Sequence, residues 1–152
     1  MNTRPAFVSI ADIPSNSKVI LYDGVCVFCN KAIRIIYRND GNKIFYFAHL
    51  QSDISTQIIQ SKDNQEQPTN SICLYDGTNL YSSSTAVLEI CKLLNWPFPI
   101  LYVFILLPKF IRDWVYGLTA QNRYRWFGKY DKCTMPNEGL KKRFLGNNVH
   151  IV

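Results

Sequence analysis

No apolar run in this chain of 152 residues is long enough to cross a membrane. The longest, residues 96–107, is about twelve residues with Pro97 and Pro99 inside it, against the roughly 20 that a span needs. It reads as a buried or interfacial segment. A secretory signal is also missing: the apolar run after Arg4 is too short for an h-region, and Asp12 interrupts it. There is no internal repeat and no low-complexity tract. A hydrophobic share of 47% argues against disorder and collagen-like repeats. Cysteine is too sparse for a disulfide-dense secreted scaffold, and five is an odd number, so complete pairing within one chain is impossible. The expected compartment is the reducing cytoplasm.

Acid is what the C-terminal third lacks. Residues 1–108 hold eight Lys/Arg and eight Asp/Glu, whereas residues 109–152 hold nine against three, which is the whole net charge of +6. A neutral body therefore carries a basic, aromatic end. Nucleic acid, an anionic membrane surface and an acidic partner all fit such an end. The length suits one domain rather than two. The expected division is an N-terminal arm at 1–17, a domain at 18–145 with a helical extension over 96–145, and a tail at 146–152.

What is present is a regular alternation of elements. Residues 18–22 are β-branched and apolar and stop at Asp23-Gly24, a strand ending in a turn. Residues 26–38 turn helical, with Cys29, Ala32, Ile33 and Ile36 on one stripe. A second strand is expected at 43–47 and a short helix at 53–62. A polar loop covers 63–70, a third strand 71–75, a hairpin Asp76-Gly77, and a short fourth strand 79–81. The serines at 82–84 suit the cap of a helix through 86–94. Pro108 sits where a further helix would begin, and Ile111, Trp114, Val115 and Leu118 give it an apolar stripe to bury. A last short helix is expected at 138–145. The order β-α-β-α-β-β-α, followed by extra helices, makes an α/β fold: a thioredoxin-like mixed sheet with a C-terminal helical extension.

That order puts Cys26-Val27-Phe28-Cys29 where the first strand hands over to the first helix. A thiol reacts as its thiolate, and a helix N-terminus stabilises that anion through its unpaired N–H groups and dipole. Cys26 lies at the first turn, so its pKa should fall. Cys29 lies one turn later on the apolar stripe, so it should be more buried and keep its proton longer. Cys26 is thus the expected nucleophile and Cys29 the resolving thiol. Asp23 is ambiguous: ionised, it would raise the Cys26 pKa by repulsion, accept a proton from Cys29, or simply bind turn amides. Redox chemistry is the leading use of the motif. A metal site would need further ligands, and the candidates Cys73, Cys133, His49 and His150 form no second close pair. Asn30 rather than His after the motif excludes c-type haem. Cys91 is expected to be a core residue, and Cys73 and Cys133 are open.

The block 122–129 (Asn-Arg-Tyr-Arg-Trp-Phe-Gly-Lys) admits four uses. Its rings could join the core with the arginines solvated, or an arginine could approach the dithiol helix and stabilise the thiolate. It could also stack on single-stranded nucleic acid, although no nucleic-acid motif is present. Finally, residues 96–107 could rest on a membrane with the cations meeting anionic headgroups.

Residues 23–30 after an apolar strand, with 84–86, 108–113, and 122–129 followed by Cys133 and Pro136, resemble the DCC family of thiol-disulfide oxidoreductases. The resemblance covers roughly 18–145. It implies a thioredoxin-like domain, a dithiol/disulfide function, and Asp23, Cys26 and Cys29 as signature positions. Some members are fused to membrane domains. Thioredoxins place a cis-proline directly before the strand facing the dithiol; here Pro68 precedes the expected strand by three residues, and either it or another residue fills that place. The expected activity is thiol-disulfide exchange on a thiol or disulfide partner, protein or small molecule. No metal and no cofactor beyond the dithiol itself is expected. The competing expectations are a non-catalytic module that docks an acidic partner or membrane through the basic end, and a zinc-binding protein.

Overall fold

The computed structural model describes residues 10–62, 71–129 and 138–145. The apolar run Lys18–Tyr22 forms strand β1, buried on both sides from Val19 to Tyr22, which marks it as a central strand. It pairs in parallel with β2 (Phe45–His49) and antiparallel with β3 (Cys73–Tyr75), and β3 pairs antiparallel with β4 (Leu80–Ser82). The sheet order is β2-β1-β3-β4. Helix α1 (Val27–Asn39) makes the crossover between β1 and β2, α2 (Asp53–Gln60) follows β2, and α3 (Ser83–Leu93) follows β4. This is the expected thioredoxin-like α/β arrangement.

Alternation along β1 builds two cores. Ile20 and Tyr22 face α1 and α3, packing with Ile33, Ile36, Phe45, Phe47, Leu74, Ala86 and Ile90. Val19 and Leu21 face α2, with Ala48, Ile54, Ile58 and Cys73. Each fully buried Val, Leu, Ile or Phe among them contributes about 1.5–3 kcal/mol.

Several boundaries differ from those read off the sequence, each for a local reason. β2 starts two residues late because Lys43 has φ +55° and the Asp40 carboxylate accepts the amides of Ile44 and Phe45 at 3.2 and 3.0 Å, holding 40–44 as a turn. The hairpin falls at Asp76-Gly77 as expected: Asp76 accepts from Thr78 and Asn79 N–H, and Gly77 supplies φ +97°. Ser82 ends up as N-cap of α3 without a side-chain hydrogen bond, and the Ser84 hydroxyl donates to Asp113 instead. The last helix, α5 (Glu138–Lys141), is a single turn. After it the chain pairs with the free edge of β2: Phe47 N–H donates to Arg143 and Leu145 N–H to Phe47. Residues 1–9 of the expected arm, and the tail 146–152, lie outside the described residues.

The largest correction concerns residues 96–127. Phe98–Leu106 is a 3-10 helix in which no residue is buried. In α4 (Lys109–Phe127), the stripe expected to face inward faces solvent: Trp114 is 66% exposed, with Ile111, Val115 and Leu118 beside it. The opposite face docks, and it does so through polar bonds. Asp113 accepts from Ser84, Arg112 reaches Thr85 at 3.5 Å, the Tyr116 hydroxyl accepts Ile72 N–H at 3.0 Å, and Arg123 runs into the body. Pro108 precedes the helix as expected. Among the described residues no helix is long and apolar enough to cross a membrane.

Candidate functional site

Cys26 is the N-cap of α1, in extended backbone, and its sulfur accepts the Cys29 N–H at 3.2 Å. A sulfur at that place receives an amide that has no partner within the helix. Cys29 lies one turn on, and both cysteines are buried free thiols. The Cys26 pKa is lowered from 9.0 to about 6, first by the hydrogen bond from the Cys29 thiol, then by the Cys29 amide and the Arg123 charge, with burial and Asp23 opposing. Cys29 is pushed far upward, first by that same hydrogen bond to Cys26, then by burial and the Cys26 charge. The turn carrying the pair is pinned by Asn30, whose amide donates to the carbonyls of Gly24 and Cys26 at 2.8 and 2.9 Å.

Asp23 closes β1 and does two jobs. One carboxylate oxygen accepts Val25 N–H at 3.1 Å, the expected turn role. The other accepts the Tyr124 hydroxyl and the Arg123 guanidinium, the latter at 3.2 Å. The Arg123–Asp23 pair is almost wholly buried. The second terminal nitrogen of Arg123 lies 3.5 Å from the Cys29 sulfur. Asp23 is thus paired with Arg123 and Tyr124, and its charge still raises the Cys26 pKa, the repulsion expected of it. Of the four uses open for residues 122–129, the approach of an arginine to the dithiol helix is met by Arg123.

The same end of α4 covers the site. Tyr124 stacks under the Arg123 guanidinium at 4.9 Å, and Phe127 lies 4.9 Å from Phe28, between the two cysteines. Gly128 takes φ +85°, a conformation that side chains resist, and sends the chain back so that Lys129 forms an antiparallel bridge with Cys26. Cys26 itself is 0% exposed.

The other sequence candidates lie elsewhere. Cys73 is buried in β3, its thiol pushed up to about 12 by burial. Cys91 is buried on α3, its pKa likewise raised by burial. His49, at the end of β2, is buried beside Tyr22 and Phe144, and burial lowers its pKa while Asp23 opposes. Cys133, His150 and Pro68 lie outside the described residues. Among the described residues, no three His, Cys, Asp or Glu side chains gather as a metal-ligand set. Sequence reasoning missed Asn30 as a pin, Tyr124 as a donor to Asp23, and Lys129 as a cover. Only the density of rings and cations in 122–129 signalled the last two.

Comparison with known proteins adds an independent line. No solved structure matches the chain. The uncharacterised protein YuxK of Bacillus subtilis is 34% identical over 129 residues, covering 85% of this chain and 94% of its own. A chloroplastic DCC family protein of Arabidopsis thaliana is 34% identical over 118 residues, covering 77% of this chain and 69% of its own. The family model for DCC1-like thiol-disulfide oxidoreductases matches residues 20–129. That stretch runs from the strand that delivers Asp23 to the lysine that covers Cys26, so both halves of the site fall inside it, and the chain belongs to the DCC1-like thiol-disulfide oxidoreductase family.

Proposed function

We propose that the protein is an enzyme exchanging thiols and disulfides through Cys26 and Cys29. The Cys26 thiolate attacks one sulfur of a substrate disulfide; the substrate S–S bond breaks, a mixed disulfide forms, and the leaving thiolate takes up a proton. Cys29 then loses its proton and attacks the Cys26 sulfur, releasing the second substrate thiol and leaving a Cys26–Cys29 disulfide. Two electrons pass from protein to substrate, and the reverse sequence oxidises a dithiol. The substrate is a thiol or disulfide, protein or small molecule, and no cofactor takes part beyond the dithiol.

The carrying observation is the opposition of the two thiols, Cys26 lowered to about 6 and Cys29 pushed up. Part of what raises Cys29 is the neighbouring Cys26 charge. That charge disappears when Cys26 enters the mixed disulfide, while Arg123 remains 3.5 Å from the Cys29 sulfur. The second thiol thus becomes easier to deprotonate at the step that needs it. Arg123 and Asp23 act here as positioning residues, and the helical extension that supplies Arg123 belongs with the dithiol body as one working unit.

The test is trapping. Cys29→Ser should accumulate mixed disulfides through Cys26 with oxidised glutathione, cystine or a disulfide-containing protein, and Cys26→Ser should not. Absence of any adduct, together with a Cys26 alkylation midpoint near the free-thiol value, overturns the proposal.

A further inference from the structure

All three tryptophans of the chain are exposed: Trp96 lies two residues before the 3-10 helix, and Trp114 and Trp126 lie on α4. Between them Leu106 is 83% and Phe110 75% exposed, with Ile100, Val103, Phe104 and Val115 also more than half exposed. Single exposed apolar residues are ordinary in soluble proteins, but a concentration of this size on one stretch of chain marks an interaction site. Tryptophan is the side chain that prefers the boundary between water and hydrocarbon.

Charge selects among occupants. Residues 96–129 hold five cations (Lys109, Arg112, Arg123, Arg125, Lys129) and one acid, Asp113. Arg123 is buried against Asp23, and Asp113 pairs with Lys109 and accepts from Ser84. A second copy of the chain would bring the same cations into opposition, whereas anionic lipid headgroups would complement them. We propose that the 3-10 helix and the outer face of α4 dock on an anionic lipid surface, lying in its interface rather than crossing it. Aromatic and aliphatic side chains enter the acyl boundary, and Lys109, Arg125 and Lys129 meet headgroup phosphates. The other face of the same helix carries Arg123 to Cys29, so a docked protein holds its dithiol through the helix that touches the lipid.

The test uses the full chain and vesicles of phosphatidylcholine with 30 mole per cent phosphatidylglycerol. Tryptophan emission should shift to the blue and the protein should float with the vesicles, with binding weakened by 0.5 M salt. Leu106→Ser/Phe110→Ser should lose at least roughly tenfold in partitioning, since each deletes a large apolar side chain from the lipid. Lys109→Gln and Arg125→Gln should each lose roughly fivefold. Far-UV circular dichroism checks that the variants fold. Cys26→Ser should bind as the unaltered chain does, which separates lipid docking from thiol chemistry. Three results overturn the proposal: no binding to the anionic vesicles, equal binding to pure phosphatidylcholine, or a dimer in solution that Leu106→Ser/Phe110→Ser makes monomeric.

Discussion

Two buried ion pairs tie the basic end of the chain to its neutral body, and they use the same chemistry for different ends. Asp40 meets Arg143 at 2.7 Å, and Asp23 meets Arg123 at 3.2 Å. Among the described residues, the other hydrogen bonds to the Asp40 carboxylate come from backbone: it accepts the amides of Ile44 and Phe45 and so fixes where β2 begins. Arg143 also lies over the Tyr37 ring at 4.9 Å, locking α1, β2 and the segment after α5 together. That pair is a clasp. Around Asp23 the contacts lead to sulfur, because the arginine that neutralises it also reaches Cys29. A buried ion pair is weak evidence for stability as such. What it is wired to decides its use.

The sharpest way to break the parallel is Asp40→Ala. It strands a largely buried guanidinium and two amides, so about 3–5 kcal/mol of stability should be lost in urea unfolding. The pH midpoint of Cys26 alkylation should stay near 6. Arg123→Met should cost less stability, about 2–3 kcal/mol, because Tyr124 and Val25 N–H still serve the Asp23 carboxylate. It should, however, move the Cys26 midpoint upward by about one unit, since a favourable charge is removed and Asp23 is left to oppose the thiolate. Arg123→Lys should restore part of that midpoint shift. An unmoved midpoint in Arg123→Met would reduce this pair to a second clasp.

A pH effect on stability follows from the lowered Cys26 pKa. Between pH 6 and 9 the folded reduced chain holds Cys26 as thiolate while the unfolded chain keeps the proton, so the unfolded state binds more protons and stability rises with pH. The contribution is complete above the ordinary value near 9 and is lost as pH falls through about 6. Unfolding of the reduced protein should therefore show a steeper rise over this window than unfolding of Cys26→Ser. Parallel pH profiles for the two would contradict the lowered value. The smallest effect is expected from Tyr124→Phe, about 1 kcal/mol or less for one hydrogen bond, with the Cys26 midpoint displaced by a few tenths of a unit.

Much of the body was legible in the sequence. The apolar run at 18–22, the Asp76-Gly77 turn and the stripe of α1 led to the sheet and its helices through hydrophobic period and turn chemistry alone. The opposed pKa directions of Cys26 and Cys29 were anticipated from their places on a helix, but the order of burial was not: Cys26 is 0% and Cys29 8% exposed, because residues from the far end of the chain pack over the helix start. The orientation of α4 was not legible, because a stripe of Ile111, Trp114, Val115 and Leu118 reads as an inward face whenever burial of apolar area is taken to dominate. Here the competing face carries Asp113, Tyr116 and Arg123, whose partners Ser84, Ile72 N–H and Asp23 are long-range and leave no local periodicity. The start of β2 was misplaced for a related reason. The side chain that sets it, Asp40, acts across the turn, while its arginine lies 103 residues away in sequence.

The backbone bridge between Lys129 and Cys26 changes what a rate measurement on this thiol means. The sulfur is poised as an anion, yet Cys26 presents no surface to solvent. Its observed reactivity is therefore a product of the fraction ionised and the fraction of time the Phe127–Lys129 turn is lifted. The two factors separate in a single titration: the midpoint reports the proton equilibrium, and the plateau reports opening. Reagents of increasing size should therefore share one midpoint and differ in plateau, which makes reagent size a ruler for how far the end of α4 must move.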